Sequence, residues 1–155
     1  MYNILKMKKE HLIILGVVLI FAVAVILIFS SGKKNDLDFC RYVFKGLIQG
    51  DQAMQKYIDW ENFKGLDIDV GKTYLEYPEL ERAKYRKTFI NSFAFGFKEV
   101  GGRYAGFSSW RIHKQTASGV VVAADYLGKT LLFAISIPAD GKRKISAIQW
   151  EGLGG

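Results

Sequence analysis

The stretch from Phe107 to Glu151, FSSWRIHKQTASGVVVAADYLGKTLLFAISIPADGKRKISAIQWE, decides the fold. Hydrophobic residues occupy four short runs, and turn-forming residues separate them, which is typical of β-strands. The predicted strands are 107–115, 119–127, 131–138 and 144–151. Gly128-Lys129 and Asp140-Gly141 are links of the hairpin type. Because short links join neighbouring strands, this stretch predicts a four-stranded antiparallel meander.

Helical patterns precede the meander. A first helix begins at Asn35 or Asp36 and ends at Gly50, and Asp51 then caps a short second helix. The apolar residues of the first helix recur every three or four positions, as a buried face requires. They are Leu37, Cys40, Phe44 and Leu47.

The segment from Gly65 to Lys72 changes to alternation, and a long helix follows it. Leu66, Ile68 and Val70 alternate with aspartates, which predicts a short strand with one buried face. The long helix runs from Pro78 to Gly101-Gly102. We expect it to cover one face of a curved sheet, since both elements have an apolar surface to bury. The predicted fold class is α+β, with an N-terminal transmembrane helix and then helices packed on a curved four-stranded antiparallel sheet.

The N-terminal region contains an uncharged apolar run, LIILGVVLIFAVAVILIF, at residues 12–29. As a helix it is about 27 Å long, close to the thickness of a bilayer's hydrocarbon core. It therefore predicts a membrane-spanning helix that stays attached. Ser30-Ser31-Gly32 keeps a cleaved signal peptide, cut after Gly32, as the alternative.

Lysine positions orient this segment. Lysines 6, 8 and 9 precede the run, and only Lys33 and Lys34 follow it closely, so the positive-inside rule places the N-terminus in the cytoplasm. The prediction is a single-pass protein of the cell (inner) membrane whose C-terminal domain is extracytoplasmic, with the lipid bilayer as a partner through 12–29. The predicted divisions are a cytoplasmic n-region (1–11), the transmembrane helix (12–29), a linker (30–35), the cone-shaped domain (36–152) and a tail (153–155).

Composition excludes several classes of protein. One cysteine rules out an intramolecular disulfide framework, and with two histidines it argues against a zinc site built on His and Cys. The formal charge is +7, but residues 35–155 hold 17 basic and 14 acidic residues, a net charge of +3. That balance does not indicate a nucleic-acid binder. We expect no metal and no cofactor.

The order of the elements resembles the nuclear-transport-factor-2-like superfamily, also called the cystatin-like cone fold. The resemblance covers about residues 36–152 and rests on that order, on the Gly50-Asp51 break and on the closing strand 144–151. Membrane-anchored bacterial members imply an extracytoplasmic domain behind one N-terminal helix. Some are of unknown function, and one group serves as an inner-membrane assembly component of type IV secretion. Enzymes of the superfamily often place an acid, a histidine or a tyrosine inside the cone.

Three residues are weighed as catalytic groups. Asp125 interrupts an apolar strand, so it is either a desolvated carboxylate with a raised pKa inside the cone or an exposed residue beside a turn. His113 faces water if Trp110 and Ile112 pack inward. Cys40 shares the apolar stripe of the first helix, where a cysteine packs as a small hydrophobic residue. We therefore predict no catalytic residue, and an enzyme using Asp125 is the least favoured of three hypotheses.

Aromatic residues are the more informative feature. The predicted ligand-binding residues at the mouth of the cone are Phe93, Phe97, Trp110, Tyr126 and Trp150. Phe95 lies opposite Phe93 and Phe97 on the helix, so it is covered by the rim of the sheet or belongs to an exposed contact surface. The first hypothesis is a non-enzymatic domain for protein–protein interaction in an envelope or secretion assembly, with a protein partner or a homo-oligomer. The alternative is a binder of small apolar ligands: a filled cone favours the first, and a pocket of several hundred Å³ favours the second.

Overall fold

A computed structural model of the protein describes residues 35–152. The predicted membrane segment 12–29, the predicted n-region, nearly all of the predicted linker and the tail lie outside these residues. Within the described part of the chain, no helix combines the length and the apolar character needed to cross a membrane. A compact unit begins at Asp36 and holds the elements described below.

The helices follow the predicted order, with one addition. Helix α1 covers residues 35–49, a 3₁₀ helix spans Gln52–Tyr57, and the long helix α3 spans Glu79–Glu99. The addition is α2, Val70–Glu76, in the segment where alternation predicts a strand. The side chain of Asp69 accepts a hydrogen bond from the backbone N–H of Lys72 at 2.9 Å, so it caps this helix and ends the strand early.

The sheet has six strands and is mixed, so the prediction of a four-stranded antiparallel sheet is wrong. The four meander strands are present as β3 (Ser108–Thr116), β4 (Gly119–Tyr126), β5 (Lys129–Ser136) and β6 (Lys144–Trp150). Two short strands extend the sheet: β1 (Lys64–Gly65) pairs in parallel with β6, and β2 (Ile68–Asp69) pairs antiparallel with β1. The strand order is β2-β1-β6-β5-β4-β3. By pairing with β6, β1 satisfies hydrogen-bonding groups at an edge that the meander alone leaves open.

The β1–β2 hairpin explains why the alternation between Gly65 and Lys72 is misleading. Its two turn residues, Leu66 and Asp67, both adopt positive φ, at 47° and 69°, as a tight two-residue hairpin turn requires. The chain therefore reverses in the middle of the predicted strand. Leu66 and Ile68 are exposed, contrary to prediction, and only Val70 of that set is buried.

Helix α1, rather than α3, provides the helical surface that is buried against the sheet. Cys40, Val43, Phe44 and Leu47 of α1 are almost completely buried, whereas Ile90 is the one fully buried residue that α3 contributes. The ring of Phe44 lies 4.9 Å from that of Phe133 in β5, in an edge-to-face arrangement. The expectation that the long helix covers the sheet is therefore only partly right, since α1 packs on Phe133 in the middle of the inner face and α3 lies over another part of that face. Helix α3 meets the core through Ile90 and a few aromatic rings and leaves space beside them.

The register of the meander assigns each strand residue to one of two faces. Val122 pairs with Phe133, and Phe133 pairs with Ile148, so these three side chains share the inner face towards α1. Residues one position away point to the opposite, outer face. Ala123 and Asp125 of β4 belong to this outer face.

Candidate functional site: an apolar pocket beneath helix α3

A pocket of about 450 Å³ lies between the C-terminal half of α3 and the inner face of the sheet. Three groups of residues line it: from α3 and the turn that follows it, from α1 and the residue just before β3, and from the strands and their hairpin turns. They are Phe44, Leu66, Ser92, Phe93, Gly96, Phe97, Val100, Gly101, Gly102, Phe107, Tyr126, Leu127, Leu131, Ile148 and Trp150. The volume falls in the range of small-molecule sites.

Two glycine positions shape the helical wall of this pocket. Gly96 lies inside α3, and a Cβ atom added there meets no heavy atom within 4 Å, so the absence of a side chain leaves open space. Gly101 follows the helix with a φ of +73°, a conformation that suits glycine at a helix C-terminus. The helix can therefore end at this position, at the margin of the pocket.

Stacked aromatic rings form the floor of the pocket. The rings of Phe107 and Tyr126 are nearly parallel with centroids 4.4 Å apart, and Phe107 also stacks with Phe97 at 6.2 Å. The Phe44 ring closes this group from α1, 5.0 Å from Phe107. Such contacts fix ring orientations in addition to burying apolar area. The floor is therefore a preformed apolar surface.

The pocket lining contains few polar groups. None of the described lining residues has a charged side chain, and the hydroxyl groups are those of Ser92 and Tyr126. The Tyr126 hydroxyl accepts a hydrogen bond from the backbone N–H of Arg103 at 3.4 Å. A buried charge without a partner costs several kcal/mol, on the order of 3–5, so such a wall selects against ionised groups inside the pocket.

Four of the five predicted ligand-binding residues line this pocket: Phe93, Phe97, Tyr126 and Trp150. The fifth, Trp110, stacks on Phe133 at 5.4 Å and lies under the guanidinium group of Arg41, so it belongs to the packing between α1 and β3.

Several lining residues were missed by the sequence analysis. Leu131 and Ile148 share the inner face with Trp150, so the alternation of the strands carried a signal for them. No local signal marks Phe44 as a pocket residue, because it lies on α1, about 50 residues before Phe93 and Phe97 in the sequence.

Asp125 lies on the outer face of the sheet, away from the pocket. It pairs with Arg111 at 3.1 Å and accepts a hydrogen bond from the Thr130 hydroxyl at 2.9 Å. The Thr130 hydrogen bond, followed by the Arg111 guanidinium, lowers the pKa of the Asp125 carboxyl. The interpretation of Asp125 as a desolvated base with a raised pKa is therefore wrong. His113 is exposed, and the described residues show no hydrogen bond between it and Asp125.

Cys40 is fully buried among core residues. Burial raises the pKa of its thiol well above the usual range, and the nearby Arg41 offsets only part of that effect. A thiol held in its neutral form is a poor nucleophile. Cys40 thus packs as the sequence predicts.

The described residues contain no group of three or more His, Cys, Asp or Glu side chains placed to hold a metal ion. Comparison with known proteins gives no match: no family model, no curated protein and no solved structure is similar to the chain.

Proposed function

We propose that the domain is a non-enzymatic binder of a small, uncharged apolar ligand, held in the pocket beneath α3. The single observation that carries this proposal is the pocket itself, about 450 Å³ with aromatic and aliphatic walls supplied by both the helix and the sheet. An apolar ligand gains about 25 cal/mol for each Å² of surface that it removes from water. Because the ring stacks exist before binding, little ordering cost opposes that gain.

The chemistry of the walls narrows the class of ligand. The partly exposed rings of Phe93 and Phe97 suit an aromatic ring, and the aliphatic side chains of Leu131 and Ile148 suit an alkyl segment. Ser92 and Tyr126 offer hydroxyl groups to one neutral polar atom. We therefore expect a neutral molecule with an aromatic or alkyl body and at most one or two hydrogen-bonding groups.

The proposal also covers the location of the protein in the cell and its superfamily. The apolar run 12–29 supports attachment of the domain to the cell membrane, with the domain on the extracytoplasmic side. The order of helices, short strands, long helix and meander supports membership of the nuclear-transport-factor-2-like superfamily. Cell fractionation tests the attachment: the intact chain, including residues 1–32, is expected in the membrane fraction. A soluble product that starts at Lys33 contradicts it.

Methyl NMR of the full chain in lipid nanodiscs tests the ligand site directly. The probe is N-phenyl-1-naphthylamine, a neutral aromatic molecule. We expect it to shift the methyl signals of Val100, Leu131 and Ile148, which line the pocket, and to leave those of Val43, a core residue of α1 outside the pocket lining, unchanged. Site-resolved signals separate binding in the pocket from partition of the probe into lipid. Equal shifts at Val43, or none at the pocket, contradict the proposal.

Protein–protein interaction in an envelope or secretion assembly is the second candidate. The observation in its favour is that large apolar side chains are exposed along α3 and at the residue after it: Leu80 is 97% exposed, Phe95 65% and Val100 82%. Phe95 is the aromatic residue of the three, and aromatic residues are enriched in protein interfaces. A photo-crosslinking residue placed at Phe95 should give a discrete adduct with an envelope protein in cells, whereas one at the charged position Lys87 should not.

A further inference from the structure

A second concave surface, of about 670 Å³, lies beside the N-terminal end of helix α1. A residue of α1, the 3₁₀ helix and the link between β5 and β6 form it. The lining residues are Phe39, Lys56, Tyr57, Asp140, Gly141, Lys142, Arg143 and Lys144. An ion pair between Arg143 and Asp36, in the first turn of α1, joins the β5–β6 link to this helix. The surface is therefore fixed to the end of the domain at which α1 begins.

Aromatic rings form one side of this surface. The ring of Tyr57 makes edge-to-face contacts with Phe39 at 5.7 Å and with Tyr42 at 5.8 Å. Tyr42 is 54% exposed, and the ammonium group of Lys56 lies 4.9 Å from the centre of the Tyr57 ring. Tyrosine and lysine side chains combine an apolar body with a polar tip, which suits the level of lipid headgroups at a membrane surface.

Two of the four cations in the lining have an anionic partner. One forms the ion pair with Asp36, and the ammonium group of Lys142 lies 3.7 Å from the carboxylate of Asp140. Within the described part of the chain, Lys56 and Lys144 form no ion pair. These two lysines are therefore available to an anion from outside the domain.

The wider neighbourhood of this surface keeps a positive balance. Asp38 is exposed on the side of α1 away from the core, and the carboxylate of Asp59 accepts a hydrogen bond from the Ser136 hydroxyl. Lys33 and Lys34 come just before α1 in the sequence. With these included, six cations and four carboxylates belong to this end of the chain, a net charge of +2.

We propose that this surface docks on anionic phospholipid headgroups of the bilayer that residues 12–29 cross, an inference that rests on the membrane attachment proposed above. The apolar run ends at Phe29 and α1 begins at residue 35, so at most about 21 Å of extended chain separates them. A tether of this length gives the headgroups a high effective concentration at the surface. A soluble anion has no such tether, and this difference selects the lipid.

Docking in this way leaves the ligand pocket at the end of the sheet away from the headgroups. Lys144 is at the start of β6, and Trp150, which lines the pocket, is at its end, about 20 Å further along the strand. Leu127, in the turn between β4 and β5, also lines the pocket. The pocket therefore exchanges its ligand with the aqueous side rather than with the bilayer.

The test is quenching of a fluorophore by lipid spin-labelled at the headgroup, with the full chain in nanodiscs that contain phosphatidylglycerol. Ala139→Cys places the label in the exposed β5–β6 link, and Lys129→Cys places it in an exposed position at the opposite end of the sheet. Cys40 is buried, so the folded chain takes up label at the introduced thiol alone. We expect quenching at position 139 and none at position 129. Equal quenching at both positions overturns the proposal.

Charge removal then tests the contact with headgroups, with the label kept at position 139. The double variant Lys56→Gln, Lys144→Gln should lower the ratio of docked to undocked domain about 25-fold, because each lysine near an anionic surface contributes about fivefold. The matched pair Lys98→Gln, Lys129→Gln removes the same charge and should leave quenching unchanged. Nanodiscs of phosphatidylcholine alone should reduce the quenching of the wild-type surface. Equal loss in the two pairs, or full quenching in phosphatidylcholine, refutes docking on anionic headgroups.

Two controls separate this proposal from its alternatives. Glycerophosphoglycerol, the soluble headgroup, should leave the quenching at position 139 unchanged, whereas its loss at millimolar concentration assigns the surface to soluble phosphate esters instead. A chain that does not enter nanodiscs contradicts the membrane attachment, and the docking with it. A chain that enters nanodiscs and shows no quenching at position 139 contradicts the docking alone.

Discussion

A larger side chain on α3 that fills the pocket is expected to abolish ligand binding without destabilising the fold. Gly96 lines the pocket, sits in the interior of the helix and has free space around its missing side chain. Gly96→Leu should place four carbon atoms in the space a ligand needs. Gly96→Ala is the matched control, since it adds one methyl group and leaves most of the pocket open.

The expected magnitudes follow from helix propensity and burial. Replacing a glycine in a helix interior by alanine stabilises a protein by about 0.8–1 kcal/mol. Leucine has nearly the same propensity and also buries part of its side chain, so Gly96→Leu should stabilise the domain by about 1–2 kcal/mol. For a domain of this size, 1 kcal/mol corresponds to an increase in Tm of about 3–6 °C. Affinity for the probe should fall at least tenfold in Gly96→Leu, or about 1.4 kcal/mol.

Two measurements on the full chain in nanodiscs check this prediction. Circular dichroism gives the Tm of each variant, and methyl NMR titration with N-phenyl-1-naphthylamine gives the dissociation constant. The combination of higher stability and lost binding is specific to occupation of the pocket, because a damaged fold loses both. Wild-type affinity in Gly96→Leu, or an equal loss in Gly96→Ala, refutes the placement of the ligand.

Three further predictions concern packing and charge. Truncation of Phe44 to alanine removes a ring that contacts both α3 and the sheet, so the free energy of unfolding should drop by about 3–5 kcal/mol in chemical denaturation; a drop below about 1 kcal/mol contradicts its central position. Asp36 is buried and paired with Arg143, so Arg143→Met should destabilise the domain by about 2 kcal/mol, and adding Asp36→Asn should recover part of that loss. Because the folded-state pKa of Asp125 is lowered, its ionised form contributes stability above the unfolded-state pKa, and this is lost as pH falls through the folded-state pKa. Thr130→Val should raise the pKa of Asp125 in an NMR titration and move that loss to higher pH, whereas an unchanged pKa argues against the hydrogen bond.

The local sequence pattern was sufficient to predict most of the helices and strands. Strands β3 to β6 lie within two residues of the predicted runs, because alternation on a half-buried meander and glycine-containing turns are both local properties. The boundaries of α3 were equally accessible, from Pro78 at its start to Gly101 at its end. Four pocket residues could also be predicted from the sequence. They are large aromatic residues, at helical spacing on α3 or on the inner face of the strands, and both positions face the same pocket.

Only the tertiary structure determined the features that depend on residues far apart in the sequence. Alternation over 65–72 fits either a strand or a hairpin followed by a helix, and the choice rests on β6, about 80 residues later, whose edge accepts β1. Similarly, α1 and α3 both have apolar stripes, and only their competition for the sheet determines that α1 is buried against it. The pocket arises from that outcome, because α3 is anchored by Ile90 and a few ring contacts and leaves the space beside Gly96 unfilled. The side of the sheet that Asp125 occupies follows from its register against Thr130, which no pattern within one strand specifies.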